Sequence, residues 1–446
     1  MNKEINDSKT LSTPLPREGG VRGRVHYIII LADGAADEPL ACFGDITPLQ
    51  AASKPNIDRI AREGINGRLV TVPEGFHPGS EIAHLGLLGY DVAKVFEGRG
   101  SLEAASMNVP IEDGEVAMRC NLICIEDDKI KNHSAGNISN EEASVLIDYL
   151  NEQLGDDKVR FFNGVSYRHL LKIKGGNKHV NCTPPHDKIG KAWCDWMPQP
   201  EFDAADDKQT EMTSAETSAL LAELIHKSME ILPKHPINQK RAAEGKDMAN
   251  SIWPWSLGYR PSMQTLHELF PDKVNSGAVI SAVDLIFGIG VYCGLKKVEV
   301  EGATGLWDTN YEAKTKAAIA ELREKDFVFL HVEATDEAGH DGDAKLKKRC
   351  VEFLDQRAVG PILEEVSKWD EPVRVAILPD HPTPIKYQTH TMTPVPFAIW
   401  QNAAANALDK SFVADSVQTF DEDACFNGSL GLLEKDQFIR LFLGEK

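Results

Sequence analysis

Three apolar, strand-like runs in this chain each end in a side chain able to bind a metal. His26–Leu31 runs into Asp33, Phe327–Val332 into Asp336, and Val373–Leu378 into Asp380 and His381. Parallel α/β sheets bind ligands beyond the carboxyl ends of their strands, so three such endings from distant parts of the sequence can meet at one place. A polynuclear metal centre is the leading expectation.

Asp336 and His340 in TDEAGHDGD are four residues apart, an interval that aligns two side chains on one helical face or joins them in a tight loop. Carboxylate oxygen with imidazole nitrogen suits a divalent ion of intermediate hardness. Spacing alone favours a solvated acidic turn, so the argument rests on convergence with the other strand ends. Asp380-His381 is followed by Pro382 and Pro384, which stop the strand and hold the next backbone extended. His390, between two threonines, precedes the apolar Pro394–Trp400 stretch; a lone histidine there is usually structural. Ser80 follows Pro78-Gly79 and precedes a helix-like segment, a setting that fits either an N-cap or a phosphoryl-binding helix start. Chemistry separates the two: a serine hydroxyl becomes a nucleophile once a base or metal takes its proton, and the strand-end carboxylates can hold that metal. The chain has no GxSxG elbow to support a rival serine mechanism. It also lacks a GxxxxGK[ST] loop, which disfavours a nucleotide-triphosphate kinase.

The elements that must position these residues alternate strand and helix. After the strand from His26 comes a helix-like Lys54–Glu63 stopped by Gly64, then a strand, Gly67–Val72, and the segment GSEIAHL around Ser80. This is the pattern of a doubly wound α/β sheet. From about Met107 to Asn250 the character changes: strand-like Val116–Ile125 and Ser166–Ile173 flank a helix-like Asn140–Leu154, and an acidic loop, Pro198 through Asp207, precedes a helix-like Ser214–Leu232. The expected organisation is a flexible leader at 1–24, a discontinuous core from 25–106 and 250–446, and an inserted α+β cap at 107–249. Gly277–Gly294, apolar with helical spacing, opens the second half of the core.

At 446 residues and 42% hydrophobic content the chain can bury at least one full core. A net charge of −20 argues against a nucleic-acid or anionic-membrane partner, since phosphate contacts need clustered Lys and Arg. No apolar run is long enough to span a bilayer, and the start lacks the apolar stretch of a signal peptide, so the expected location is cytoplasmic. The eight scattered cysteines are expected to be reduced and mostly buried.

Taken together, LADGAAD, GSEIAHLGLLGYD, EATDEAGHDGD, and DHPTP with THTMTPVPF resemble the alkaline-phosphatase superfamily, and within it the archaeal type of cofactor-independent (2,3-bisphosphoglycerate-independent) phosphoglycerate mutases. The likeness runs from about His26 to Trp400 and includes GRGSLEAASM, SYRHLL and EGATGLWDTNYEAK. It implies a three-layer α/β/α core with a mostly parallel sheet. It further implies two divalent ions, manganese or a substitute such as magnesium or cobalt, with no 2,3-bisphosphoglycerate. Asp336, His340 and His390 would hold one ion; Asp33, Ser80, Asp380 and His381 would hold the other. Ser80 would take the phosphoryl group of 3-phosphoglycerate and return it to the other hydroxyl of the bound glycerate, giving 2-phosphoglycerate. The cap would shut out water, which would otherwise release free phosphate. His133, Arg168, His169, His186, Asp187 and Arg241 are its candidate groups for the small phosphorylated hydroxy acid, although any one of them is equally a solvent-facing polar group.

One segment departs from the pattern. Where the archaeal mutases resemble DRSAGRI, this chain has Asn132-His133-Ser134-Ala135-Gly136-Asn137-Ile138, without the acid and the two arginines. A bacterial branch similar in this segment has been proposed to phosphorylate homoserine, so phosphotransfer to another small alcohol is the alternative, with a simple metallo-phosphatase as a third. A non-enzymatic scaffold would show a lost metal ligand or nucleophile, and the sequence retains both.

Overall fold

The computed structural model describes residues 24–201 and 210–445. The expected leader, apart from Arg24, lies outside them, as do residues 202–207 of the expected acidic loop.

An eight-stranded sheet forms the larger part of the fold. At its centre His26–Ala32 is flanked by Phe327–Val332 on one side and Val373–Leu378 on the other, all parallel. Gly277–Ile280 and Lys296–Val298 extend the sheet in parallel beyond Phe327–Val332. On the other side Val395–Gln401 pairs antiparallel with both Val373–Leu378 and Ile65–Val70, and Leu432–Glu434 closes the edge. The central strands read as continuous β-branched and aromatic runs because both their faces are covered. Tyr27, Ile29 and Leu31 face a layer that includes the Ser80–Leu87, Asp284–Tyr292 and Gln437–Leu443 helices. Ile28, Ile30 and Ala32 face the Pro55–Arg62, Tyr311–Glu324, Ala344–Leu354 and Gly360–Val366 helices. Each fully buried Ile or Leu in these layers stabilises the fold by roughly 1.5–3 kcal/mol.

Register explains the convergence of the strand ends. Ala32 pairs with Val332, and Leu31 with Leu378, so Asp33, Glu333 and Asp380 leave the sheet at the same edge. The antiparallel strand Val395–Gln401 enters at that edge, bringing His390 with it.

The insert has its own five-stranded antiparallel sheet. Glu115–Glu126 pairs with Arg168–Lys174, Lys129–Asn132 and Ser251–Gly258, and Val159–Val165 lies beyond Arg168–Lys174. Val116, Met118, Cys120, Leu122, Leu171 and Ile173 on one face bury against the Asn140–Leu154 and Ser214–Ile231 helices. Ser139 caps the first helix, and a Thr213/Glu216 capping box opens the second. The strand Ser251–Gly258 belongs to this sheet, so the insert's sheet extends past the expected boundary at 249. The other face is turned toward the Arg99–Ser106 helix, where Ala104, Ala117 and Leu170 pack together. That helix approaches Asp284–Tyr292 backbone to backbone: a Cβ on Gly288 would fall 1.9 Å from Leu102 O.

Gly277–Gly294 is not one helical run. Its first four residues are a strand paired with Phe327–Leu330, and the helix begins at Asp284. A short apolar run such as Gly277–Ile280 fits a buried strand or a helix equally, so the spacing did not separate the two. The strand expected at Gly67–Val72 starts two residues earlier, at Ile65. All eight cysteines are free; Cys42 and Cys194 are exposed, Cys182 is half-buried and the others are buried. Among the described residues no helix is long and apolar enough to cross a membrane.

Candidate active site

Asp33 is the first residue past its strand and is fully buried. Burial, then the carboxylates of Asp380, Glu333 and Asp336, push its pKa well above the ordinary carboxylate range. Asp33 Oδ1 lies 3.8 Å from His381 Nε2, and Asp33 Oδ2 lies 2.7 Å from His331 Nε2. Asp380, two residues past its own strand, accepts the Gly34 and His381 backbone N–H groups on Oδ1, while its Oδ2 lies 3.1 Å from His381 Nε2 and 3.4 Å from His84 Nδ1. Burial raises the Asp380 carboxyl, but the His381 and His84 rings prevail and bring it below its usual value.

Asp336 and His340 are on one face of the short helix Ala334–His340, as their spacing allowed. His340 Nε2 is 3.2 Å from Asp336 Oδ2 and 2.9 Å from His390 Nε2, and His390 Nε2 is 3.5 Å from Asp336 Oδ1. Burial pushes the Asp336 carboxyl up, yet the hydrogen bonds to His340 and His390 hold it well below the carboxylate range. In return Asp336 raises His340 to about 9. His381 bridges the two groups: its ring stacks on His390 with centroids 3.8 Å apart, and burial lowers it to about 4.

Ser80 stands at the seam. Gly79 is the N-cap and Ser80 the first helical residue, and Ser80 Oγ lies 3.2 Å from His381 Nε2. The hydroxyl is therefore turned to the Asp/His cluster rather than capping its own helix.

These residues fit divalent cations. Three donor atoms from Asp33, Asp380 and His381 lie within 4.8 Å of one another, as do three from Asp336, His381 and His390. Asp33 Oδ1 and Asp380 Oδ2 are buried with no hydrogen-bond partner among the described residues, a costly state for carboxylate oxygens unless a cation meets them. The mix of oxygen and imidazole nitrogen suits an ion of manganese type.

The substrate-binding expectations fare unevenly. His133 and His186 come together, ring centroids 6.0 Å apart, with Tyr167 and Trp255 against them. Arg168, exposed beside Tyr167, is on the same side of the sheet. Asp187 is exposed, 3.7 Å from His186. His169 is a correction. It pairs with Cys120 on the face covered by the insert's own helices, is 2% exposed, and accepts the Gly164 N–H on Nδ1. Arg241 is another: it donates to the Asp247 and Ala135 carbonyls and pairs with Glu142, so its guanidinium braces the loop after His133. Asn132, where the archaeal pattern has an acid, accepts the Ser134 N–H and O–H at 2.8 Å and shapes that same loop.

Arg99 and Arg119 were missed. Arg119 alternates onto the face of the insert sheet turned toward the Arg99–Ser106 helix, lies over Trp255 and pairs with Glu103 at 3.2 Å. Nε of Arg99 and Nε of Arg119 are both buried without a hydrogen-bond partner among the described residues. Arg99 and Arg168 lower the pKa of Arg119 after burial does, so three guanidinium groups share one space with His133 and His186. A cation inside the apolar run VAMRC was the available signal. His84 and His331 were missed too; each is a polar residue within an apolar stretch, and His84 lies one helical turn past Ser80.

Helices on both faces of a mostly parallel sheet, with a serine and two Asp/His groups at its strand ends, define a three-layer α/β/α fold with a potential metal centre. A solved structure, that of the PH0037 protein from Pyrococcus horikoshii, shares it over 95% of this chain and 98% of its own, at a TM-score of 0.76 and 28% identity. The cofactor-independent phosphoglycerate mutase of Thermoplasma acidophilum matches in fold at a TM-score of 0.63 and 24% identity, covering 94% of this chain and 99% of its own. Residues 61–238 match the family model described as 2,3-bisphosphoglycerate-independent phosphoglycerate mutase. A protein of that name from Methanosarcina acetivorans is 47% identical over 420 residues, 94% of this chain and 99% of its own. A protein named as a probable member from Geobacter sulfurreducens is 41% identical, covering 92% of this chain and 97% of its own. The chain belongs to the 2,3-bisphosphoglycerate-independent phosphoglycerate mutase family.

Proposed function

We propose that this enzyme interconverts 3-phosphoglycerate and 2-phosphoglycerate through a phosphoserine on Ser80, with no added 2,3-bisphosphoglycerate. The observation that carries the reading is Ser80 Oγ, 3.2 Å from His381 Nε2 at the seam of two Asp/His groups. Asp336, His340 and His390 would hold one divalent ion, and Asp33, Ser80, Asp380 and His381 the other, with manganese the ion assigned and magnesium or cobalt its substitutes. When bound, such a pair lowers the hydroxyl pKa and offsets charge on the attacking and leaving oxygens.

The chain's own residues do the rest. Ser80 Oγ attacks phosphorus as its proton passes to the departing C3 oxygen, the bond from phosphorus to that oxygen breaks, and glycerate is left in the cleft. The C2 hydroxyl then attacks the phosphoserine, the bond to Ser80 Oγ breaks, and the proton of that hydroxyl replaces the one Ser80 lost. Ser80 opens its helix, where first-turn N–H groups and the dipole favour the phosphoryl oxygens. Arg99 and Arg119, with His133, His186 and Arg168 beside them, present unpaired N–H donors to the substrate carboxylate. The insert at about 107–260 keeps water from the phosphoserine. A small phosphorylated hydroxy acid is the partner, and the reading places the enzyme in the cytoplasm.

The test is a substrate panel on manganese-loaded protein. Formation of 2-phosphoglycerate from 3-phosphoglycerate sustains the reading. Free phosphate from many monoesters would make it a phosphatase, and phosphohomoserine formed when homoserine and a phosphoryl donor are supplied would move it to the alternative acceptor.

A further inference from the structure

His84 and His331 are fully buried, and the reaction above uses neither. His84 Nδ1–H donates to the Ser80 carbonyl oxygen at 2.7 Å across one helical turn. That bond fixes the tautomer, so Nε2 keeps its lone pair. Nε2 is buried and has no hydrogen-bond partner among the described residues. His331, inside the strand Phe327–Val332, directs Nε2 at Asp33 Oδ2 from 2.7 Å, and its Nδ1 lies 3.0 Å from Ser281 Oγ. The two rings meet edge to face at 5.3 Å. One donor atom each from Asp33, His84 and His331 lie within 4.8 Å of one another.

Asp33 thus faces two ways. Its Oδ1 looks toward His381, and its Oδ2 toward the His84–His331 pair. Two imidazole nitrogens and one carboxylate oxygen make the donor set of a zinc-type site with a position left for water. Both rings carry the outer hydrogen bond that orients metal-binding histidines: His84 to a backbone carbonyl, His331 to a serine hydroxyl.

We infer that Asp33, His84 and His331 form a third divalent-cation site, sharing Asp33 with the Ser80 side of the centre. On binding, the proton between His331 Nε2 and Asp33 Oδ2 moves to Nδ1 against Ser281 or leaves to solvent, so that Nε2 binds as a neutral ligand. The ion ties the Ser80–Leu87 helix, through His84, to the strand that carries His331. The competing occupant is a buried water on His84 Nε2.

The experiment loads the full chain with zinc alone and with manganese alone, counts bound metal by mass spectrometry after gel filtration, and maps anomalous scattering in crystals. The expected result is an anomalous peak between His84 Nε2 and His331 Nε2 in addition to those beside Ser80. His84→Gln and His331→Gln should each lose one equivalent and keep the other peaks. A wild-type map without a cation in bonding reach of His84 Nε2 overturns the inference, whether or not either variant folds. A peak there with none at Asp336 and Asp380 would sustain it while removing the two-ion reading of the Ser80 centre.

Discussion

The backbone N–H of Gly34 closes on Asp380 Oδ1 at 3.1 Å, locking together the ends of two neighbouring parallel strands. Gly34 manages this at φ +61°, and a Cβ there would lie 2.4 Å from Asp336 Oδ1 and 2.7 Å from Asp336 Cα. One residue therefore abuts both Asp/His groups. Gly34→Ala should cost about 1–2 kcal/mol for the left-handed backbone alone, and the collision with Asp336 adds to that. Metal titration should show loss of bound manganese together with loss of turnover; a variant with full metal content would refute the close fit.

Lys347 and Asp37 form a pair with no exposure, Nζ 2.7 Å from Oδ2, and Nζ also donates to the Ala36 and Thr383 carbonyls. The lysine ties the loop after Asp33 to the loop after His381. Lys347→Met strands a buried carboxylate and should destabilise the protein by about 3–5 kcal/mol. Adding Asp37→Leu should recover part of that, because both desolvation costs then vanish. Urea denaturation of the two variants measures the difference, and equal losses would contradict it.

His169 supplies a pH signature. Burial holds its imidazole down to about 3, against an ordinary value of 6.5. Below pH 6.5 the unfolded chain takes up a proton that the folded ring refuses, so stability contributed at neutral pH drains away as pH falls. The slope from this one group approaches about 1.4 kcal/mol per pH unit. His169→Gln should flatten the fall in stability between pH 6 and pH 5 by about that much. An unchanged slope would mean that the ring is already protonated in the folded state.

Arg119 lies on the face of the insert sheet turned toward the Arg99–Ser106 helix, its Nε buried with no hydrogen-bond partner among the described residues. If it holds the substrate carboxylate, Arg119→Met should raise KM about tenfold to a hundredfold, the worth of a charged hydrogen bond. The metal content should not change. Steady-state kinetics beside a metal assay separates this from general damage.

Much of the core was legible because its strands are short, apolar and bounded by breakers. Phe327–Val332 and Val373–Leu378 are found where the sequence put them, as is the helix Asn140–Leu154. Gly277–Gly294 was not, since a short apolar run fits strand or helix and only pairing with Phe327–Leu330 decides its first four residues. Nor could local pattern show that Ser251–Gly258 would pair with a strand far earlier in the chain. At the site, the seven residues expected around two ions do come together. Strand-end position carries chemical information even without neighbours in view. The placements of His169 and Arg241 were not legible: side-chain direction on the His169 strand is set by pairing register, and the Arg241 guanidinium is held by the Asp247 and Ala135 carbonyls and Glu142, contacts that sequence spacing leaves open. His84, His331 and Arg119 each interrupt an apolar run, and a polar residue in such a run had to be either satisfied or functional.

The central claim is that Ser80 carries the phosphoryl group between the two hydroxyls of glycerate. Acid-quenching the manganese-loaded enzyme during turnover of 3-phosphoglycerate, then mapping phosphorylated peptides, tests it most directly. The account predicts one phosphoryl group on Ser80 in the wild type, and neither adduct nor turnover in a folded Ser80→Ala variant. Undiminished formation of 2-phosphoglycerate by that variant would contradict it.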